Sequence, residues 1–450
     1  MRIKGFMKVT ISDHFTVKKL IRFVFPSVVM MLFTSVYGVV DGLFVSNFAG
    51  KTAFAGVNLI LPFIMLVGTF GFMVGQGGTA IVSKTLGQGN AKKANRIFSM
   101  LVLVVIISGA LLSLAASFFI EKIAIFLGAD EALLPYCVTY ARISFISMPA
   151  FMLQNVFQSF FITAGKPNLG LGITVGAGVT NMLLDFILVG VLKTGVRGAA
   201  FATVVSELIG GLLPLIYFSV KNSSLLHFDK PLWDFRALLK TCTNGSSELM
   251  TNVSLSIVNM LYNYRLMRLA GADGVSAYGV IMYVGFVFVA VFIGYSIGVA
   301  PIIGFNYGAK NNAELKNMFK KSLWVISAMA VSMCTLAFLL SIPLSNAFAG
   351  YDEALYSLTL RGFRIFSLSF LLSGFNIFGS SFFTALSNGA VSAAISFMRT
   401  LFFQVVCVLL LPVWFGVDGI FASSAAAELL ALCVTSFFVL KMNRRYNYIP

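Results

Sequence analysis

About twelve runs of mostly apolar residues alternate with short polar breaks along this chain, and each run is long enough to cross a bilayer. A membrane-crossing helix needs roughly 20 predominantly apolar residues. The runs lie near 17–47, 52–83, 94–120, 132–164, 168–192 and 196–220, then near 241–269, 274–305, 315–346, 354–386, 389–412 and 418–440. Backbone amides inside lipid must bond internally, so a spanning segment is a helix or part of a closed barrel. The stretch 101–120 lacks the alternation that barrel strands require. The sequence therefore predicts an all-α integral membrane protein. Composition agrees: 58% of the 450 residues are hydrophobic and 11% are charged, against about 25% charged in a soluble domain. Residues 18–50 are too long an apolar stretch for a cleaved leader and have no small-residue cleavage site, so they are expected to form the first span.

The net charge of +16 excludes less than it first suggests. The basic residues are not a patch for nucleic acid; they form short clusters between apolar runs. With both termini and every second loop on one side, that side carries 22 Lys and Arg, among them Arg2, Lys4, Lys8, Lys84, Lys240 and Arg445. The other side carries nine, and Arg399 falls within a span. Cytoplasmic loops of membrane proteins carry this excess. The expectation is a multi-pass protein of the plasma or inner membrane with both termini in the cytoplasm and an even number of spans. The five cysteines are scattered without a CxxC pair, as expected of small buried residues rather than of a metal site or disulfide.

The chain repeats itself at an offset of 221 residues. Phe48-Ala49-Gly50 falls on Leu269-Ala270-Gly271, Thr163-Ala164 on Thr384-Ala385, Gly195-Val196 on Gly416-Val417, and Glu207-Leu208 on Glu428-Leu429. Six spans per repeat is an even number, so both halves insert in the same direction. That is the parallel-repeat plan of carriers, with a pseudo-twofold axis along the membrane normal. Two six-helix bundles follow: an N-lobe over 1–220, a cytoplasmic linker over 221–240 and a C-lobe over 241–450.

Acids inside a membrane cost about 2.5–3.5 kcal/mol each on insertion scales, so each needs a partner, a cavity or a task. Five fall within spans: Asp41, Asp185, Glu207, Glu248 and Glu428. Tyr37 lies one turn before Asp41 on the same helix face, and Asn181 one turn before Asp185. Two facing carboxyls can share and release a proton; either Asp can also simply bridge helices. Glu248 follows Gly245-Ser246-Ser247, where it suits a cation or caps a helix start. The equivalent positions of Glu207 and Glu428 suit structural bracing. Arg399 is expected to pair with an acid of its own half. The glycine-rich stretch 71–78 lacks the Lys-Ser/Thr of a phosphate loop and lies inside an apolar run. With no ATP-binding motif and no catalytic constellation, an enzyme is not expected, nor is a cofactor. Transport would draw on an ion gradient.

Several stretches together resemble one family. They are Val40-Asp41-Gly42-Leu43-Phe44-Val45, Gly75-Gln76-Gly77-Gly78-Thr79-Ala80, Phe161-Ile162-Thr163-Ala164-Gly165-Lys166-Pro167 and Pro301-Ile302-Ile303-Gly304-Phe305-Asn306-Tyr307-Gly308. The set resembles the multidrug and toxic compound extrusion (MATE) family over nearly the whole chain. The resemblance implies twelve helices in two lobes and antiport of small organic, often cationic, compounds against H⁺ or Na⁺. It implies that Asp41, Asn181 and Asp185 form the ion-coupling site, as a proton or Na⁺ site, and that Tyr37, Asn155, Gln158 and Thr203 line the same cavity. Glu248 matches an acid of some members and marks a candidate second-lobe cation site. Residues 366–383 contain no Asp, unlike some Na⁺-coupled members, which directs coupling to the N-lobe. The remaining expected partner is membrane lipid, and a monomer suffices for an internal cavity. The alternatives are a flippase for a lipid-linked saccharide, a related fold with basic cavities, and a channel.

Overall fold

A computed structural model describes residues 10–449. Arg2, Lys4 and Lys8 of the basic tally lie outside the described residues. The chain is helical almost throughout, with no strand among the described residues. The spans are α1 (Val17–Ala49), α2 (Thr52–Gly87), α3 (Ala91–Phe126), α4 (Leu134–Ile146 then Met148–Thr163, bent by 59°), α5 (Pro167–Val191) and α6 (Val196–Ser219). The second set is α7 (235–270) and α8 (272–308), α9 (Asn312–Ala349), α10 (Glu353–Ser367 then Phe370–Ala385, bent by 47°), and α11 (389–415) and α12 (417–446). The stretches Phe235–Gly308 and Gly389–Tyr446 are hydrogen-bonded through, but each contains one residue with non-helical dihedrals, Gly271 at φ 63° and Gly416 at φ 56°. Only glycine adopts such a turn without strain.

The repeat is visible in the backbone. Gly50 and Gly195 also have positive φ, at 94° and 63°, and sit 221 residues before Gly271 and Gly416. Asn90 caps α3 by accepting from Lys93 N, and Asn311 caps α9 by accepting from Glu314 N, again 221 residues on. Both bent spans, α4 and α10, break at the same repeat position. Each break frees backbone groups at membrane depth, which is tolerated where protein or a cavity lies beside them.

The linker is shorter than the sequence suggests. Residues 235–240 belong to α7, because Asp234 caps that helix by accepting from Ala237 N at 3.0 Å. The linker proper is pinned to α3: His227 N donates to Asn95 Oδ1 at 3.1 Å, and Asp229 N to Ser99 Oγ at 2.9 Å.

One apolar core fills the N-lobe and another the C-lobe. A third joins them, mixing the early half of α1 with α8, α9 and α10. At the end that carries the basic loops, the lobes meet backbone to backbone. A methyl group on Gly87 of α2 would lie 2.0 Å from the Phe305 carbonyl oxygen, and one on Gly308 of α8 would lie 2.0 Å from that of Lys84. These two contacts are exchanged by the 221-residue offset, so they form one reciprocal clasp about the pseudo-twofold axis. Farther along α1 and α8, a methyl on Gly38, Gly42 or Gly279 would meet nothing within 4 Å. The lobes are therefore clasped at the basic end.

Candidate functional site

The N-lobe site grows from the packing of α1 on α5. Gly178 has no side chain where Phe33 and Tyr37 approach: a methyl there would lie 2.5 Å from the Phe33 ring and 3.0 Å from that of Tyr37. Running in parallel from this contact, the helices bring Asp41 and Asp185 together, with their carboxyls within side-chain hydrogen-bonding reach. Asp185 is 0% exposed and Asn181 is 2% exposed. Both Asp185 oxygens, one oxygen of Asp41 and the Asn181 carbonyl oxygen are buried with no hydrogen-bond partner. Buried acceptors left without a donor are uncommon in native proteins, and four of them belong to three residues on these two helices.

A second ring of polar groups surrounds the pair. The bend in α4 lies at Ser147, whose hydroxyl donates to Glu207 Oε2 of α6 at 2.5 Å. The bend aims the second half of α4 inward, and Gln154 faces the Tyr37 hydroxyl. Glu207 acts electrostatically on Tyr37, and Asp41 acts on Glu207. Tyr140, 2% exposed, points its hydroxyl toward Thr203 and lies close to Asp41, Asp185 and Glu207.

Of the residues expected from sequence, Tyr37, Asp41, Asp185 and Thr203 come together here, with Asn181 on the α5 face that carries Asp185. Asn155 does not join the cluster through its amide, which donates to Phe151 O of its own helix at 3.0 Å, while its backbone faces Gly75 of α2. Gln158 lies one turn beyond Gln154 on the same face and makes no side-chain hydrogen bond to a described residue. Sequence reasoning missed Gln154, Tyr140 and the place of Glu207 beside the pair. For Glu207 a signal existed, an acid inside an apolar run. Tyr140 sits in the first half of α4 and carried none, being one aromatic residue among many in an apolar run.

The C-lobe is built differently at equivalent depth. Arg399 Nε donates to Glu428 Oε1 at 2.8 Å and to Oε2 at 3.1 Å. Asn376 donates to Glu428 Oε2 at 2.7 Å and accepts from Thr435 at 2.8 Å. Arg399 thus pairs within its own half, and Glu428 is fully engaged. A cavity of about 210 Å³ opens beside this network. Glu248, Arg399 and the stacked rings of Tyr262 and Tyr278, 4.7 Å apart, line it. Tyr262 donates to Gln404 at 2.8 Å, and Tyr278 to Asn259 at 3.1 Å. Arg399 acts electrostatically on the Glu248 carboxyl, which has no ion-pair partner among the described residues.

Three short π-helical segments interrupt the spans: Val45–Ala49 one turn after Asp41, Phe186–Val191 directly after Asp185, and Met398–Phe402 around Arg399. Each π turn loosens the backbone ladder beside a charged intramembrane side chain, a placement common at functional sites.

The MatE family model matches residues 26–187 and 249–409, one segment in each lobe. The multidrug export protein MepA of Staphylococcus haemolyticus is 27% identical over 325 residues, covering 71% of each chain. MepA of Staphylococcus aureus strain MRSA252 is 22% identical over 433 residues, covering 95% of this chain and 94% of its own. The solved outward-facing conformation of a multidrug resistance MATE family transporter of the MOP superfamily superimposes with a TM-score of 0.91 at 19% identity, over 98% of this chain and 99% of that one. That likeness establishes the two-lobed fold.

Proposed function

The chain belongs to the MatE family, and from that premise we propose that it is a secondary active exporter that carries small organic, cationic compounds across the plasma membrane in exchange for a coupling ion. The observation that carries this reading is the Asp41–Asp185 pair, two carboxyls in contact with no donor for Asp185 among the described residues. Two like charges cannot both persist at that separation without a proton or a cation between them. This supports the pair as the ion site, to which Asn181 Oδ1 adds a further acceptor.

With the basic end in the cytoplasm, the lobes are closed inward. An ion arriving from outside occupies the pair. Contact between the two carboxyls favours a proton, which bridges oxygens already at hydrogen-bonding reach, whereas Na⁺ would have to part them. Occupancy removes negative charge from the N-lobe cavity and so weakens its hold on an organic cation, which leaves outward. Opening of the reciprocal clasp then exposes the site inward, where the ion departs and a new substrate binds. Each ligand shifts the equilibrium only by its differential affinity for the two states. Tyr37 and Tyr140 supply ring faces for a cation, and Glu207 adds a third carboxyl near the pair.

Exchange at one site predicts that binding of substrate expels the ion. Adding a fluorescent organic cation to purified protein in weakly buffered detergent should release protons, read with a pH dye. The Asp41→Asn variant should bind without release. Binding by the unsubstituted protein with no proton release, in the presence or absence of Na⁺, would overturn exchange against a proton.

A further inference from the structure

At the basic end a second cavity, about 590 Å³ in volume, lies across the seam between the lobes. Five cations line it: Lys84 of α2, Lys93 of α3, Arg236 and Lys240 of α7, and Arg445 of α12. None forms an ion pair with a described residue. The one acid in the lining, Asp234, spends Oδ1 on capping α7. Lys84 and Lys240 lie close enough to repel one another. Two aromatic rings organise the wall. Tyr307 and Tyr446 meet edge to face at 5.6 Å, the Lys84 ammonium sits 4.7 Å over Tyr307, and the Arg445 guanidinium sits 5.3 Å over Tyr446. The hydroxyl of Ser387, also in the lining, is buried without a partner. The floor is apolar, with Ile81, Ile97 and Leu386.

A cytoplasmic excess of Lys and Arg explains how many cations this end carries. It does not explain why five from both lobes converge on one walled cavity whose lining holds a single acid. We propose that this cavity binds a phosphate-bearing anion, such as the headgroup of an anionic phospholipid or a soluble polyphosphate. Guanidinium and ammonium groups donate charge-assisted hydrogen bonds to phosphate oxygens, Ser387 supplies a neutral donor, and the apolar floor accommodates the first carbons of a lipid. Basic pockets between spans at the cytoplasmic face suit such headgroups.

The location ties occupancy to conformation. Lys84 and Tyr307 flank the clasp in which Gly87 meets Phe305 and Gly308 meets Lys84. Parting the lobes there would pull the N-lobe cations away from the C-lobe rings. A bound anion therefore stabilises the conformer closed at this end.

Native mass spectrometry of the full chain, extracted from membranes containing phosphatidylglycerol and phosphatidylcholine, reads the lipid arm. The protein should retain one phosphatidylglycerol, and the triple variant Lys84→Gln, Lys240→Gln, Arg445→Gln should retain roughly tenfold less, one decade in affinity. The single variant Lys240→Gln should show an intermediate loss with less risk to folding. A control triple, Lys221→Gln, Lys320→Gln, Lys441→Gln, removes the same charge elsewhere at this end and should behave as the unsubstituted protein. A second arm adds inorganic pyrophosphate to delipidated protein and reads the melting temperature. Stabilisation that the pocket variants lose and the control keeps assigns the cavity to a soluble phosphate compound. Retention or stabilisation that falls equally in pocket and control variants, or in neither, overturns the proposal. Because the readouts are binding and melting, a failure of ion exchange at Asp41 and Asp185 would leave this test intact.

Discussion

The carboxyls of Asp41 and Asp185 face each other across the contact between α1 and α5, and both oxygens of Asp185 are buried without a hydrogen-bond donor. Acceptors buried without a donor are what support reading the pair as the site of a coupling ion.

Replacing either acid with Asn should leave the protein folded and inserted while abolishing coupled export. An Asn supplies its own donor to the remaining carboxyl, so the melting temperature in detergent should rise or stay level. Gradient-driven transport should fall by about a hundredfold or more, in line with loss of an interaction on which the cycle depends. A marked fall in melting temperature would show that the pair is structural.

Glu207 and Glu428 are equivalent in the repeat and should respond differently. Glu207 meets only the Ser147 hydroxyl directly and acts on Tyr37. Glu207→Gln should lower substrate affinity about tenfold, with little change in melting. Glu428 is bound by Arg399 through both carboxylate oxygens and by Asn376. Removing one partner of such a buried pair costs about 3–5 kcal/mol, so Glu428→Gln should melt well below the unsubstituted protein. The double variant Arg399→Met, Glu428→Leu should recover most of that loss. Equal thermal behaviour of Glu207→Gln and Glu428→Gln would remove the distinction.

The clasp should be intolerant of a single methyl. Gly87→Ala or Gly308→Ala would place carbon 2.0 Å from a carbonyl oxygen of the facing lobe. Overpacking of this kind costs about 1–3 kcal/mol. The cost falls only on the conformer closed at the basic end, so either substitution should shift the population toward the opposite state. Spin labels on the basic ends of α2 and α8 should report longer distances in both variants. An unchanged distance distribution would mean that the lobes do not part there.

Much of this was legible in the chain. The spans follow from apolar length, and the structure extends most of the predicted boundaries by a few residues because the helices continue into the polar layers. Gly50, Gly195, Asn90 and their partners 221 residues on mark the turns and caps of both halves. Asp41, Asn181 and Asp185 were conspicuous as polar groups at costly depth. What the sequence hid depends on irregular backbone. The α4 span bends by 59° at Ser147, and π segments follow Asp41 and Asp185, none of which an ideal 3.6-residue period foresees. Gln154 rather than Asn155 meets Tyr37, and Tyr140 from the segment before the bend lies beside the pair. The basic cavity is hidden in the sequence for another reason: its five cations come from α2, α3, α7 and α12, and only folding gathers them.

The most direct test of the account is transport of a fluorescent organic cation by the protein in proteoliposomes, with a pH gradient or a Na⁺ gradient imposed in turn and Asp41→Asn measured alongside. The account predicts movement against the substrate gradient driven by the pH gradient and absent in the variant. Full transport by Asp41→Asn, or transport indifferent to both gradients, would contradict it.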